Sequence, residues 1–243
     1  MRYAVLSDVH ANLEALEVVL ADVAGRNPEA IICLGDFVGY GPDPNACVRR
    51  LRDVLAGAVL GNHDLAALDR TDVTMFNPYA RAAILWTRDQ LADDTRAYLG
   101  DLPRQLRRPA FLAVHGSPRD PTDEYVFDAS TAKSSFESVE FRLGLVGHTH
   151  VPGVFIDDGE RVQVRPLAPD DPLELRPAYR YLINVGSVGQ PRDGDPRAAY
   201  LWLDEGNSRA QLIRLPYPLE RTQEKMRAAG LPEVLAERLS FGR

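Results

Sequence analysis

Five histidines occur in the 243 residues, His10, His63, His115, His148 and His150, and each sits just past a short apolar run of strand-like composition. Asp8 and Asp36 hold the same kind of place, and Asn62 precedes His63. The stretch around which the others group is Gly61-Asn62-His63-Asp64, which follows Ala58-Val59-Leu60. In open α/β folds the carboxyl ends of the strands form the edge where ligands bind. Histidine, aspartate and asparagine together make a borderline nitrogen and oxygen donor set. It suits manganese, iron, cobalt or zinc better than it suits thiolate-seeking metals, or calcium and magnesium in all-oxygen cages. Seven such donors are too many for one tetrahedral zinc. They suit two ions roughly 3.5–4 Å apart that share a bridging carboxylate, the arrangement used for in-line displacement at phosphorus.

Taken singly, each piece has an ordinary explanation. Asp8-x-His10 after a strand reads as a helix cap beside a surface histidine, and Gly35-Asp36 as a turn. Gly147-His148-Thr149-His150 says more, because alternating residues of an extended segment share one face. The force of the pattern lies in its repetition at five strand ends.

The elements that must position these residues follow from periodicity. Residues 2–6 read as a buried parallel strand and 12–24 as a helix, with Leu13, Leu16, Val19, Leu20 and Val23 at helical spacing and Gly25 at its end. Asn12 reads as a helix-start residue, with a supporting role at the site as the alternative. Residues 30–34 form a second strand ending at Gly35-Asp36, a helix follows around 46–55, and 58–60 form a third strand. Such alternation implies a parallel sheet with right-handed crossovers. Helices are expected from Pro78 to Leu91 and on to Leu99, with Ile84, Leu85 and Trp86 as core. Further strands are expected over 109–114 and 143–146, with a helix over 130–139 and a polar surface loop over 119–128. Beyond Val151, short runs at 154–156, 162–164, 181–185, 199–203 and 211–215 suggest a second, mostly antiparallel sheet packed on the first. Residues 219–239 read as one or two terminal helices broken at Gly230-Leu231-Pro232, with no chemistry of their own.

Composition sets the frame. Hydrophobic residues make up 45% and charged residues 26%, which fits a globular chain with a sizeable core. A single domain over 1–243 is expected, with a motif-bearing core at 1–205 and a helical tail at 216–243. The formal charge of −7 gives no general attraction for nucleic acid or anionic membrane. A phosphate substrate therefore needs local positive charge, which bound cations supply. Two cysteines, Cys33 in an apolar run and Cys47, make no disulfide scaffold. With no stretch that reads as a leader or a membrane span, a cytoplasmic location is expected. The oligomeric state is not legible.

Asp8-x-His10, Gly35-Asp36, Gly61-Asn62-His63-Asp64, His115 and Gly147-His148-Thr149-His150 are similar, in order and spacing, to the signature of the calcineurin-like metallophosphoesterases. The match is close over residues 1–150. It continues through residues 184–194, which resemble a small prokaryotic phosphodiesterase-like branch. The resemblance implies a four-layer αββα sandwich with two mixed β-sheets flanked by helices. It implies Asp8, His10 and His150 as ligands of one divalent metal, and Asn62, His115 and His148 as ligands of a second, with Asp36 bridging. Manganese is the foremost candidate, ahead of iron, nickel, cobalt, zinc or magnesium. It implies His63 as the group that protonates the leaving oxygen, Asp64 as the carboxylate that orients His63, and in-line attack by a metal-bridging hydroxide. Where the protein-phosphatase branch carries Asp-Arg-Gly, this chain has Gly39-Tyr40-Gly41, which argues against a phosphoprotein substrate. Tyr40, Arg119 and Arg192 are the candidate substrate contacts. A small phosphodiester or nucleotide-type substrate is expected. The alternatives are a diadenosine-polyphosphate hydrolase or protein phosphatase of the same fold, or a non-catalytic scaffold.

Overall fold

The computed structural model describes residues 1–169 and 171–243. In chain order the elements are β1 (Arg2–Leu6), α1 (Leu13–Arg26), β2 (Ala30–Cys33), α2 (Pro44–Arg52), β3 (Gly57–Ala58), α3 (Asn62–Ala67), α4 (Pro78–Gln90) and α5 (Asp93–Gly100). Then come β4 (Gln105–Arg107), β5 (Leu112–Val114), α6 (Ala129–Ser138), β6 (Leu143–Val146), β7 (Gly153–Asp157), β8 (Val162–Pro166) and β9 (Leu173–Glu174). The chain closes with β10 (Arg180–Asn184), β11 (Ala198–Asp204), β12 (Arg209–Leu215), α7 (Leu219–Ala228), α8 (Glu233–Glu237) and a 3-10 turn (Arg238–Phe241).

The strands form two six-stranded mixed sheets, ordered β3-β2-β1-β11-β12-β9 and β4-β5-β6-β10-β7-β8. Side-chain alternation builds the layers. Tyr3, Val5 and Ile32 of the first sheet meet Leu143, Leu145 and Ile183 of the second in a central core. The opposite faces carry Ala4, Leu6 and Cys33 against α1 and α2, and Leu112, Val114 and Leu182 against α6. The result is the expected αββα order of layers.

Several details correct the reading from sequence. The early strands do not form one parallel sheet with a later antiparallel one beside it. β1, β2 and β3 lie in one sheet and β5 and β6 in the other, and the strands after Val151 are shared between them. Period-two patterning reports which face of a strand is buried, not which sheet it joins. Gly25 does not end α1; the helix runs on to Asn27, which takes the left-handed conformation (φ 50°) and closes the last turn with its N–H. The third strand is short, Gly57–Ala58; the Val59 N–H still reaches the Cys33 carbonyl, and beyond it the Leu60 N–H turns to the Pro103 carbonyl. The strand expected over 109–114 is shorter, and β4 and β9 carry no pattern long enough to read. Leu85 is exposed rather than core, since it points away from the side of α4 that buries Ala80, Ala83, Ile84 and Thr87. Cys33 and Cys47 are buried free thiols. No helix among the described residues is long and apolar enough to cross a membrane.

The tail is not inert. Met226, Leu231, Leu235 and Leu239 pack with Tyr40 and α4 into a separate small core. Asn12 caps α1 through the Ala15 N–H, as expected of a helix-start residue, and its amide also donates to the Gly189 carbonyl.

Candidate metal centre

The polar strand ends converge from both sheets. After β1 the backbone turns sharply, with Asp8 (φ 53°) and His10 (φ 49°) in the left-handed region. After β2, Asp36 does the same (φ 52°), and after β6 so do His148 (φ 65°) and His150 (φ 59°). Left-handed backbone costs a residue with a Cβ on the order of 1 kcal/mol or more. Five such residues in one site are held only because the loops are zipped to each other. Asp8 N–H donates to the Gly35 carbonyl at 3.0 Å and His10 N–H to the Asp36 carbonyl at 2.9 Å. Ser187 Oγ donates to the Asp8 carbonyl at 2.8 Å. The motif glycines permit the approach: a Cβ on Gly61 would stand 2.0 Å from Asp36 Oδ1, and one on Gly147 2.0 Å from Ser7 Oγ.

Each of four imidazoles is tied on its outer side to a main-chain carbonyl. His10 Nδ1 lies 3.1 Å from Val38 O, His115 Nδ1 2.9 Å from Leu34 O, and His150 Nδ1 2.6 Å from Gln190 O. His148 uses its other nitrogen, Nε2, on Asp123 O at 3.1 Å. A carbonyl accepts only, so the proton of a neutral ring sits on that outer nitrogen and the inner one is a bare lone pair. This is how metal-ligating histidines are oriented.

The bare atoms face one another. His10 Nε2 and His150 Nε2 are 3.1 Å apart, and Asp8 Oδ1 lies 3.1 Å from His150 Nε2. His115 Nε2 stands 3.0 Å from His148 Nδ1, 3.2 Å from Asn62 Oδ1 and 3.4 Å from Asp36 Oδ2. Asp8 Oδ1 and Asp36 Oδ2 are buried with no hydrogen-bond partner. An orphaned buried acceptor costs about 1–3 kcal/mol, more when charged, and a cation relieves it. One donor group comprises Asp8, His10, Asp36 and His150, and a second comprises Asp36, His115 and His148. Asp36 belongs to both, and its other oxygen, Oδ1, accepts from the His63 N–H at 2.9 Å. The donor set therefore fits two divalent ions.

The field of the cluster shows in its titration. Burial holds His10 well below the ordinary histidine range and lowers His148 to about 3. Burial lowers His150 too, with help from the Arg192 charge. At His115 burial also opposes the cation, but the Asp36 carboxylate outweighs it and pushes the ring up to about 9. Burial works against charge on Asp36 as well, yet His115 and His63 hold its carboxyl well below the usual range. The centre demands positive charge at Asp36.

His63 and Asp64 lie in the first turn of α3. The His63 ring sits 4.5 Å from Tyr40, 4.9 Å from His10 and 5.3 Å from Phe76, centroid to centroid, and its Nδ1 is buried without a partner. Burial lowers it to about 4. Asp64 does not orient His63. Its carboxylate accepts from Gly61 N–H at 3.1 Å and Val38 N–H at 3.2 Å, so it splints the loop after β2 to the start of α3. Consecutive helical residues point about 100° apart, so a carboxylate at the next position cannot face the ring.

The three candidate substrate contacts divide. Tyr40 stands 4.7 Å from His10, and Arg192 reaches over the Tyr40 ring and donates to Gln190 Oε1 at 2.8 Å. Arg119 is not brought to the cluster; it pairs with Glu124 at the surface. Other residues escaped the sequence reading. Asn184 Nδ2 holds the Gly147 carbonyl at 2.5 Å, and Tyr125, in the loop expected to be plain surface, stacks on His148 at 3.8 Å. A cleft of about 230 Å³ opens over the centre, bordered by Tyr40, Asn62, His63, Phe76, Tyr125 and His148 among others. A larger surface basin of about 890 Å³, walled by Phe136, Phe141 and Arg180, holds none of these residues.

Comparison with known proteins agrees with this architecture. Residues 1–207 match the model of the calcineurin-like phosphoesterase superfamily domain. The uncharacterised protein MJ0912 of Methanocaldococcus jannaschii is 38% identical, with 99% of this chain and 98% of the relative covered. A metallophosphoesterase from Sphaerobacter thermophilus superposes with a TM-score of 0.91 at 42% identity, covering 100% of this chain and 99% of that one. The hypothetical protein PH1004 of Pyrococcus horikoshii shares the fold, with a TM-score of 0.81 at 20% identity over 100% of this chain and 98% of that one. With the sandwich, the buried Asp/His cluster and these matches in agreement, the chain belongs to the calcineurin-like phosphoesterase superfamily, a family of hydrolases.

Proposed function

We propose that the protein hydrolyses small phosphodiesters or nucleotide-type phosphoesters with two divalent ions as cofactor, manganese foremost. One observation carries this reading: inward-facing imidazole nitrogens and carboxylate oxygens gather at two points that share Asp36. Asp8, His10 and His150 would hold one ion, Asn62, His115 and His148 the other, and Asp36 both. When bound, such ions supply Lewis acidity to the phosphoryl oxygens and a reactive nucleophile from water.

The chain's own residues do the rest. His63 protonates the leaving oxygen. Its ring is neutral in the buried site, but an anionic phosphoryl group beside it favours the imidazolium. Arg192 adds positive charge from the side of Tyr40 and grips a phosphate oxygen. Gly39-Tyr40-Gly41 in place of Asp-Arg-Gly, beside a cleft bordered by Tyr40, Phe76 and Tyr125, supports a small substrate over a phosphoprotein loop. The complete donor set argues against a non-catalytic scaffold. We take residues 1–243 as one catalytic domain, with 216–243 as its flank. Two buried free thiols fit the reducing cytoplasm.

The test is hydrolysis of bis-p-nitrophenyl phosphate and p-nitrophenyl phosphate by the full chain with added manganese. His63→Ala is expected to lower kcat by about 10²–10⁴-fold, the usual worth of a general acid, with metal content unchanged. No hydrolysis with manganese, nickel, cobalt, magnesium or zinc would contradict the proposal.

A further inference from the structure

Two of the ten strongly exposed large apolar side chains among the described residues, Met75 and Tyr125, line the same cleft from opposite segments of the chain, together with Phe76. Apolar surface gathered at one opening marks a binding site, whereas the same residues scattered singly need no explanation. On one side Tyr125 lies parallel to His148 (3.8 Å, 16°) and Phe127 parallel to Tyr125 (5.5 Å, 15°). This stack fixes the plane of a ring that is still 45% exposed. On the other side Met75 is 90% exposed, and Phe76 beside it is anchored edge-on to His63. A polarizable thioether and the edge of a fixed aromatic ring are both apolar surfaces against which a flat ring packs well. The floor between them, Asn62, His63 and His148, is polar. The cleft thus has a polar end and an apolar end.

We infer that Tyr125 and Met75 wall a subsite for a planar ring carried by the phosphoester, an inference that rests on the phosphoesterase reading above. Either an aryl ester or a nucleoside supplies such a ring. The subsite selects on the organic group of the substrate, whereas the metal centre acts on its phosphorus.

The test is calorimetric binding to the manganese-loaded full chain of phenylphosphonate and methylphosphonate, and of the analogues of AMP and ribose 5-phosphate in which a methylene replaces the 5′ ester oxygen, none of which has an ester linkage to cleave. The ring-bearing member of at least one pair is expected to bind about tenfold tighter, the upper size of one aromatic pair. A preference only for phenylphosphonate assigns an aryl ester, and one for the AMP analogue assigns a nucleoside. Met75→Ala and Tyr125→Ala are each expected to shrink the preference toward one, and Tyr125→Phe to keep it. Met75 is nearly free of contacts, so its variant remains a fair test even where Tyr125→Ala disturbs His148. A protein that hydrolyses esters yet shows no ring preference, or a preference that both alanine variants leave intact, overturns the subsite alone. If no phosphonate binds and no ester is hydrolysed, the phosphoesterase reading fails and the subsite falls with it.

Discussion

The two halves of the metal centre are built from the same residue types and differ in access. Asp8, His10 and His150 are 0–2% exposed, backed by Tyr40 and Arg192, with the C-terminal helices packed behind Tyr40. Asn62 and His148, at 7% and 4%, line the cleft, and half-exposed Tyr125 lies over His148. Asp36 is the buried seam between the halves, and His115 is the fully buried member of the second. The sealed half has the more strained backbone, with Asp8, His10 and His150 all left-handed, against His148 alone in the open half. The strain is concentrated where geometry must not yield. The cleft opens onto the second half, beside His63.

This contrast can be tested from its strongest consequence down. Asp36→Asn removes the one carboxylate common to both halves, while its side-chain oxygen can still accept from the His63 N–H. It should reduce bound metal well below that of the wild type and lower kcat by on the order of 10³-fold, the upper range for loss of a charge-stabilising group. Metal analysis beside initial rates checks this; retention of both ions would show that Asp36 does not join the halves. Chelation gives the next effect. Timed stripping with EDTA should proceed in two phases, the open half first. Tyr125→Ala should weaken that half about tenfold, at the lower end of what contacts around a ligand are worth. Loss of both ions in a single phase would mean that the difference in exposure has no consequence for metal exchange. The smallest effect is expected from Asp64→Asn. Exchanging one accepting oxygen for an amide beside the Gly61 and Val38 N–H groups should cost about 1–2 kcal/mol of stability, with only a few-fold change in kcat. A loss of kcat as large as that of His63→Ala would restore Asp64 as the orienting group.

Much of the centre was legible in the sequence because strand ends are. A histidine or aspartate placed just after an apolar run must emerge at the edge of a sheet, and five histidines in that position leave few other arrangements. Three features were not legible. Membership of a sheet is one: β1 and β6 read alike, yet Asp8 and His148 reach the centre from opposite sheets, as periodicity says nothing about partners far along the chain. The left-handed turns at Asp8, His10 and Asp36 are another, since residues with a Cβ avoid that region unless tertiary bonds hold them there. The third concerns loop arginines. Arg119 and Arg192 look equivalent in sequence, and only the fold shows that Glu124 takes the first while Tyr40 and Gln190 hold the second at the centre. Asp64 failed for a local reason that helix geometry already contained.

The central claim is that residues spread over 140 positions hold a pair of cations through one shared carboxylate. Anomalous scattering from manganese-soaked crystals tests it most directly. Two peaks per chain are predicted, one among Asp8, His10, Asp36 and His150, the other among Asp36, Asn62, His115 and His148. A single peak, or peaks that do not share Asp36, would contradict the account.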